Sequence, residues 1–182
     1  MTRNPMTRPL KLGFALAALI FLIDQAVKAW VVDGLGLSYP GAVREVLPFF
    51  DLRFVQNIGV SLGLLPAETG TMRWLLVALT GFIAAGVAWW MVREKNRAGL
   101  LALAAVLGGA LGNIVDRVRF GYVVDYADLH FGEWRPFLVF NVADAAITIG
   151  VVILLIRALF VRDKPKADAA SAEAAPVENA NA

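Results

Sequence analysis

The chain has 182 residues, of which 59% are apolar, and its mean hydropathy is +0.66. A soluble domain is about half apolar, so this excess indicates a protein embedded in lipid. The net charge of only +2 argues against a nucleic-acid partner. The absence of cysteine excludes disulfides, thiol catalysis and cysteine-bound metals, and His130 alone cannot make a histidine-rich zinc site. We expect neither a metal nor a cofactor, which leaves carboxylates as the catalytic groups.

Four apolar runs predict four transmembrane helices. They cover residues 12–32, 74–92, 98–115 and 137–156. A helix needs about 20 residues to cross the hydrocarbon core, and the runs lack the alternation of barrel strands. The first run is not interpreted as a cleavable signal peptide, because it ends in Asp24-Gln25 and no small-residue cleavage site follows. The predicted fold class is an all-α membrane protein with a single integral membrane domain, residues 1–162.

The long loop between the first two helices carries a strand pattern. Apolar and polar residues alternate over Phe50–Val55, turn residues follow at Gln56–Gly59, and alternation resumes over Val60–Leu64. This pattern predicts a two-stranded extracytoplasmic hairpin, which would need the helices or the membrane surface for support. Residues 163–182, rich in alanine with scattered charges and prolines, are predicted to be a disordered cytoplasmic tail.

The basic residues predict the orientation of the helices. Ten of the 17 lysines and arginines lie in the two terminal flanks and the tight loop 93–97, whereas the others are spread over the long loops. The positive-inside rule then places both termini in the cytoplasm.

Polar residues inside the predicted helices form three sets. The sets are Asp24 and Lys28 in the first helix, Asn113, Asp116 and Arg117 in the third, and Asn141 and Asp144 in the fourth. Within each set the spacing places the side chains on one helix face, and the predicted topology places all three sets in the outer part of the membrane. Ionisable groups in a membrane are costly and usually functional, although such groups can also simply hold a bundle together.

Asp125 follows the third helix in the segment Tyr122-Val123-Val124-Asp125-Tyr126, where an ordinary solvated loop aspartate would explain it equally well. Two carboxylates held close together share a proton, so that one can deprotonate water while the other donates to a scissile amide. Spacing alone does not choose the pair from Asp24, Asp116, Asp125 and Asp144.

Five segments resemble, in order, the motifs of the lipoprotein signal peptidases, or signal peptidase II, which are aspartic peptidases of bacterial inner membranes. The segments are Asp24-Gln25 with Lys28, Asn57-Ile58-Gly59, Gly108 to Arg117, Val123 to Tyr126, and Phe140 to Ile147. The third is the most specific, and the resemblance covers nearly the whole chain except the tail. Tyr126 stands where the family often has phenylalanine.

The resemblance implies that Asp125 and Asp144 are the catalytic pair. It implies a supporting set that lines or braces the site, namely Asp24, Asn57, Asn113, Asp116, Arg117 and Asn141. The implied substrate is a diacylglyceryl-modified prolipoprotein, cut just before its lipidated cysteine. We further expect a monomer in contact with membrane lipid, located in the bacterial inner membrane with its active site toward the outer face.

Three other functions are each compatible with part of the pattern. A proton-relaying transporter is disfavoured because the acids lie at one depth and there is no inverted repeat. A serine-lysine peptidase using Ser61 and Lys28 is disfavoured because Ser61 has no neighbouring base. A non-catalytic scaffold would tolerate substitution of both Asp125 and Asp144.

Overall fold

The computed structural model describes residues 7–59 and 69–160. It contains four long helices, α1 (Thr7–Ala29), α2 (Gly70–Arg93), α3 (Arg97–Phe120) and α4 (Val142–Phe160). All four are long and apolar enough to cross a membrane, with α1 extended by a π-helical turn at Trp30–Gly34. The prediction of four membrane-spanning helices is therefore confirmed. The predicted tail, residues 163–182, lies outside the described residues.

Helix α3 is the centre of the bundle, and the other three helices pack against it. Glycines allow the backbones to approach closely: a Cβ on Gly108 would lie 2.5 Å from the Ala17 carbonyl oxygen of α1. A Cβ on Gly109 would collide with the Ala143 carbonyl oxygen of α4. The sequence places small residues where close helix packing requires them.

Three antiparallel strands form a sheet in the order β1 (Val43–Leu47), β2 (Phe50–Asn57) and β3 (Val123–Leu129). The predicted strand at Phe50–Val55 coincides with β2. Gln56 and Asn57 were predicted to form a turn, but they belong to β2, and the turn that pairs β2 with β1 lies at Pro48-Phe49. The predicted second strand, Val60–Leu64, lies outside the described residues.

Strand β3 was not predicted, because it shows no alternation of apolar and polar residues. Six of its seven residues are buried, so both of its faces are covered. One edge pairs with β2, and the other meets Phe140, whose backbone exchanges hydrogen bonds with Ala127. The segment that sequence patterns describe as a loop is thus a buried strand.

The start of α4 corrects the predicted boundary at Phe137. The apolar run Phe137–Phe140 has the hydropathy of a helix, but Phe140 pairs with β3 and the helix begins at Val142. Asp144 therefore lies in the first turn of α4 and not two turns inside it, as the predicted boundary had implied.

The connectivity places the sheet at one end of the bundle. Helix α1 leads into β1, and α3 leads into β3 through Gly121, whose φ of +91° ends the helix with a left-handed residue. At the opposite end of the bundle, Arg157 Nη2 near the end of α4 lies 3.9 Å from Glu94 Oε1 in the turn between α2 and α3. The polar residues singled out in the sequence all lie toward the sheet end.

Candidate active site

Asp125 is held on β3 by two amide side chains. It is 2% exposed. Asn141 Nδ2 donates to its Oδ1 at 2.6 Å, and Asn57 Nδ2 donates to its Oδ2 at 3.0 Å. Asn57 is itself oriented, because its Oδ1 accepts a hydrogen bond from the Gly59 backbone N–H at 3.1 Å. The carboxylate therefore has a fixed orientation beside the start of α4.

Asp144 is held in the first turn of α4 by a reciprocal cap. Its Oδ2 accepts from the Asn141 backbone N–H at 3.3 Å, while Asn141 Oδ1 accepts from the Asp144 backbone N–H at 2.9 Å. This is the geometry of a capping box, with asparagine at the N-cap and aspartate three residues later. The other oxygen, Oδ1, accepts from Asn113 Nδ2 of α3 at 2.8 Å.

Asn141 joins the two carboxylates. It is 1% exposed, its side-chain amide donates to Asp125, and its backbone N–H donates to Asp144. Because one residue binds both aspartates, the start of α4 brings the two carboxylates into one site.

Burial raises the pKa of the Asp125 carboxyl to about 7, and the nearby Asp144 carboxylate acts in the same direction. The hydrogen bonds from Asn57 and Asn141 oppose this rise, because they favour the ionised form. Two carboxyl groups that repel each other in a buried site can keep one proton between them near neutral pH.

A second, fully buried cluster lies beside the pair. Lys28 Nζ is 2.8 Å from Asp24 Oδ2 and 2.8 Å from Asp116 Oδ2, and it donates to Asn113 Oδ1 at 3.2 Å. Asp24 also accepts from the Ala143 backbone N–H of α4 at 2.9 Å. The Lys28 ammonium is thus shared by two acids, and the cluster connects α1, α3 and α4.

Asp116 and Arg117 extend this cluster to the strands. Asp116 Oδ2 accepts from the Val124 backbone N–H, next to Asp125, at 3.1 Å. Arg117 Nη2 donates to the Gly59 carbonyl oxygen at 2.6 Å, and its Nη1 donates to the Asn113 carbonyl oxygen at 3.3 Å. The end of α3 is therefore bonded to both segments that hold Asp125.

An apolar cavity of about 570 Å³ opens beside the pair. It lies between the end of α1, the sheet and the start of α4. Its walls include Val27, Trp30, Leu52 and Val142, and Asn141 forms part of the same wall. Apolar groups bound in this cavity would lie next to the residue that holds both carboxylates.

The structure brings all of the sequence-predicted site residues into one hydrogen-bonded network: Asp24, Asn57, Asn113, Asp116, Arg117, Asp125, Asn141 and Asp144. The predicted set omitted Gln25 and Lys28. Gln25 Nε2 donates one hydrogen bond to Asp24 Oδ2 at 3.2 Å and another to Asp116 Oδ1 at 2.9 Å. Lys28 lies four residues after Asp24 on the same helix face, and both Gln25 and Lys28 belong to the first segment that resembles the family. Ser61, considered as a nucleophile, lies outside the described residues.

Comparison with known proteins gives one family. The pattern of the family described as Signal peptidase (SPase) II matches residues 16–160. The lipoprotein signal peptidase of Sphingopyxis alaskensis is 54% identical over 155 residues, covering 85% of this chain and 89% of the relative. The lipoprotein signal peptidase of Rhizorhabdus wittichii is 54% identical over 163 residues, covering 90% of this chain and 94% of the relative.

Solved structures agree with this comparison. A bacterial membrane enzyme determined by the in meso method at 2.3 Å resolution is 26% identical, with a TM-score of 0.71 over 82% of this chain and 88% of the other. A second bacterial membrane enzyme structure, at 1.9 Å resolution, is 27% identical, with a TM-score of 0.70 over 84% of this chain and 95% of the other.

Proposed function

The chain belongs to the signal peptidase II family, and on that premise we propose that it removes signal peptides from prolipoproteins by means of Asp125 and Asp144. The observation that carries the choice of these two acids is that Asn141 donates a hydrogen bond to each carboxylate at the start of α4. The other two candidates, Asp24 and Asp116, both lie against the Lys28 ammonium. We infer that they brace the site and do not act on the substrate.

The proposed reaction needs one proton on the pair. The ionised carboxylate takes a proton from water as the water oxygen attacks the scissile carbonyl carbon, and the protonated carboxyl gives its proton to the carbonyl oxygen. When the resulting diol collapses, one of its hydroxyls returns a proton to the carboxylate that had protonated the carbonyl oxygen, the carbonyl re-forms and the C–N bond breaks. The leaving amine takes the proton that came from water. The raised pKa of Asp125 supports this role, because it keeps the pair singly protonated near neutral pH.

The supporting residues act by position in this proposal. Asn57, Asn113 and Asn141 orient the carboxylates with neutral hydrogen-bond donors. Arg117 fixes the end of β2 against α3 through the Gly59 carbonyl.

We further propose that both termini are cytoplasmic and that the pair faces the outer side of the membrane. The basic residues concentrated at the termini and the loop 93–97 support this orientation. The sheet would then lie on the outer side, between membrane and solvent. The peptidase is proposed to occupy one domain, residues 1–162, and to act as a monomer, since one chain supplies the whole network.

The proposed substrate carries diacylglycerol on the cysteine that follows the scissile bond. The pair lies where α4 begins, at the boundary of a membrane span. Acyl chains contribute about 0.8 kcal/mol of membrane affinity per buried methylene, so two chains would hold the cysteine at that boundary. The apolar cavity beside Asn141 gives apolar parts of such a substrate room near the pair. Lipid anchoring would thus orient the scissile bond before reaction.

The test uses purified protein in bilayers and two matched prolipoproteins, with and without diacylglycerol. We expect cleavage of the lipidated form only, with product masses that place the cut just before the lipidated cysteine. Equal cleavage of the two substrates would reject lipid-dependent positioning. Cleavage of neither would contradict the proposed function itself.

A further inference from the structure

A third polar cluster, separate from the pair and from Lys28, centres on Asp128 of β3. Asp128 is three residues after Asp125 and is 1% exposed. Its Oδ2 lies 2.8 Å from Arg53 Nε and also accepts a hydrogen bond from Arg135 Nη1. One buried carboxylate oxygen therefore receives donors from two arginines that are distant in sequence.

These arginines belong to the two segments that carry the partners of Asp125. Arg53 lies in β2, four residues before Asn57. Arg135 lies in the connection from β3 to α4, six residues before Asn141. Asp128 thus joins all three segments that converge on the pair.

We propose that Asp128, with Arg53 and Arg135, is a positioning clamp that sets the geometry of the catalytic pair. The clamp rests on the proposed function, since it concerns the reaction of Asp125 and Asp144. It acts without touching them: it fixes the connection whose two ends are β3, carrying Asp125, and α4, carrying Asp144.

The two arginines keep Asp128 ionised on a face of the sheet that carries other acids. Glu45 pairs with Asp51, and Asp51 pairs with Asp128, so three acids share one face of the sheet. Burial alone would raise the pKa of Asp128, but the hydrogen bonds and charges of Arg135 and Arg53 hold it below its usual value. The carboxylate is thereby kept as a strong acceptor for both side chains.

A second attachment limits how far the pair can move when the clamp is lost. Phe140 stays bonded to Ala127 through the backbone, next to Asn141. We therefore expect a displaced pair and not a disassembled one. A misplacement of about 1 Å can cost roughly 100-fold in rate, so the expected loss of kcat is roughly 10- to 100-fold.

The experiment measures kcat and KM, per folded enzyme, for wild type, Asp128→Asn and Arg135→Gln on the lipidated prolipoprotein. We expect kcat to fall in both variants while KM stays within about twofold, since the clamp orients the pair and does not bind substrate. Arg135→Lys should recover part of the lost kcat, because its ammonium can still pair with Asp128. Glu133→Gln, which removes an exposed charge from the same connection, is the matched control and should behave as wild type.

Wild-type kcat in folded Asp128→Asn would overturn the clamp. If Asp128→Asn does not fold, the Arg135→Gln variant provides the test, because Arg135 is exposed and its replacement should not prevent folding. Wild-type kcat in Arg135→Gln would also overturn the clamp. A purely structural role would lower the folded fraction and leave kcat per folded enzyme unchanged. Failure of the wild type itself to cleave would count against the proposed function and not against the clamp.

Discussion

Two aspartates three residues apart on β3, Asp125 and Asp128, have pKa values shifted in opposite directions because the groups around them differ. Asp128 is bound by two arginines, and its pKa is lowered. Asp125 is bound by the amides of Asn57 and Asn141, and burial raises its pKa to about 7. An amide orients a carboxylate without adding a charge that would strip its proton. Asparagine is therefore the suitable donor where a carboxyl must be fixed and still hold a proton.

Asn57→Ala tests this reasoning through the pH dependence of cleavage. In the wild type, rising pH removes the shared proton, so activity should fall on the alkaline side with an apparent pKa near 7. The Asn57 hydrogen bond favours ionised Asp125. Its removal should raise the pKa of the pair and move the alkaline limb to higher pH. The measurement is kcat/KM against pH.

Gln56→Ala is the matched control, since Gln56 is the exposed neighbour of Asn57 on β2. Its alkaline limb should coincide with that of the wild type. A limb that moves to lower pH in Asn57→Ala would show that the amide acts on the pair in some other way.

Lys28→Met should destabilise the protein more than any single loss of a neutral hydrogen bond. It leaves the buried carboxylates of Asp24 and Asp116 without their cation. Removing one partner of a buried ion pair lowers the free energy of unfolding by about 3–5 kcal/mol. Thermal unfolding in detergent measures this. Lys11→Met removes an exposed lysine from the same helix and should leave the melting temperature almost unchanged. Equal melting temperatures for the two variants would contradict a bracing role for Lys28.

At the scale of elements, α3 positions the site by allowing α1 and α4 to approach it. A Cβ on Gly112 would lie 2.5 Å from Asp24 Oδ2 and 3.5 Å from the Ala143 Cβ. The glycine face of α3 therefore brings the acid of α1 and the first turn of α4 to the same point.

Gly112→Ala should push Asp24 away from its contacts with Lys28 and Ala143. Overpacking of this kind costs about 1–3 kcal/mol, and we expect a lower melting temperature together with a lower kcat. Gly86→Ala on α2 is the control, because its Cβ would meet no heavy atom within 4 Å among the described residues. A Gly112→Ala protein as stable and active as Gly86→Ala would mean that α1 does not need this close approach.

Strand β1, strand β3 and the start of α4 were not predicted from the sequence. Strand β3 is buried on both faces, so it lacks the alternation that indicates a strand. The start of α4 was misjudged because Phe137–Phe140 is as apolar as a membrane helix, although Asn141 is a good N-cap residue. For β3 and for the start of α4, tertiary pairing decides the local structure, because β3 pairs with β2 and Phe140 pairs with Ala127.

At the scale of the whole molecule, the sequence predicted the four helices and the polar residues within them because hydropathy and helical spacing are local properties. Asn57 entered only through the resemblance to the family. The choice of acids is not local. Asp24 and Asp116 lie against the Lys28 ammonium, whereas Asp125 and Asp144 accept hydrogen bonds from Asn141 and Asn113, and tertiary contacts bring most of these partners together. From the residues alone the four acids were equivalent. The resemblance to the family implied one pair, and the network of contacts supports the same pair.

The central claim is that Asp125 and Asp144 form one catalytic unit. The most direct measurement is kcat on the lipidated prolipoprotein for Asp125→Asn, Asp144→Asn and the double variant, with Asp33→Asn, an exposed aspartate, as control. Because an amide cannot serve as the proton-transfer group, we predict that each single variant loses nearly all activity and that the double variant loses little more. Substantial turnover by either folded single variant, or losses that multiply in the double variant, would contradict the claim.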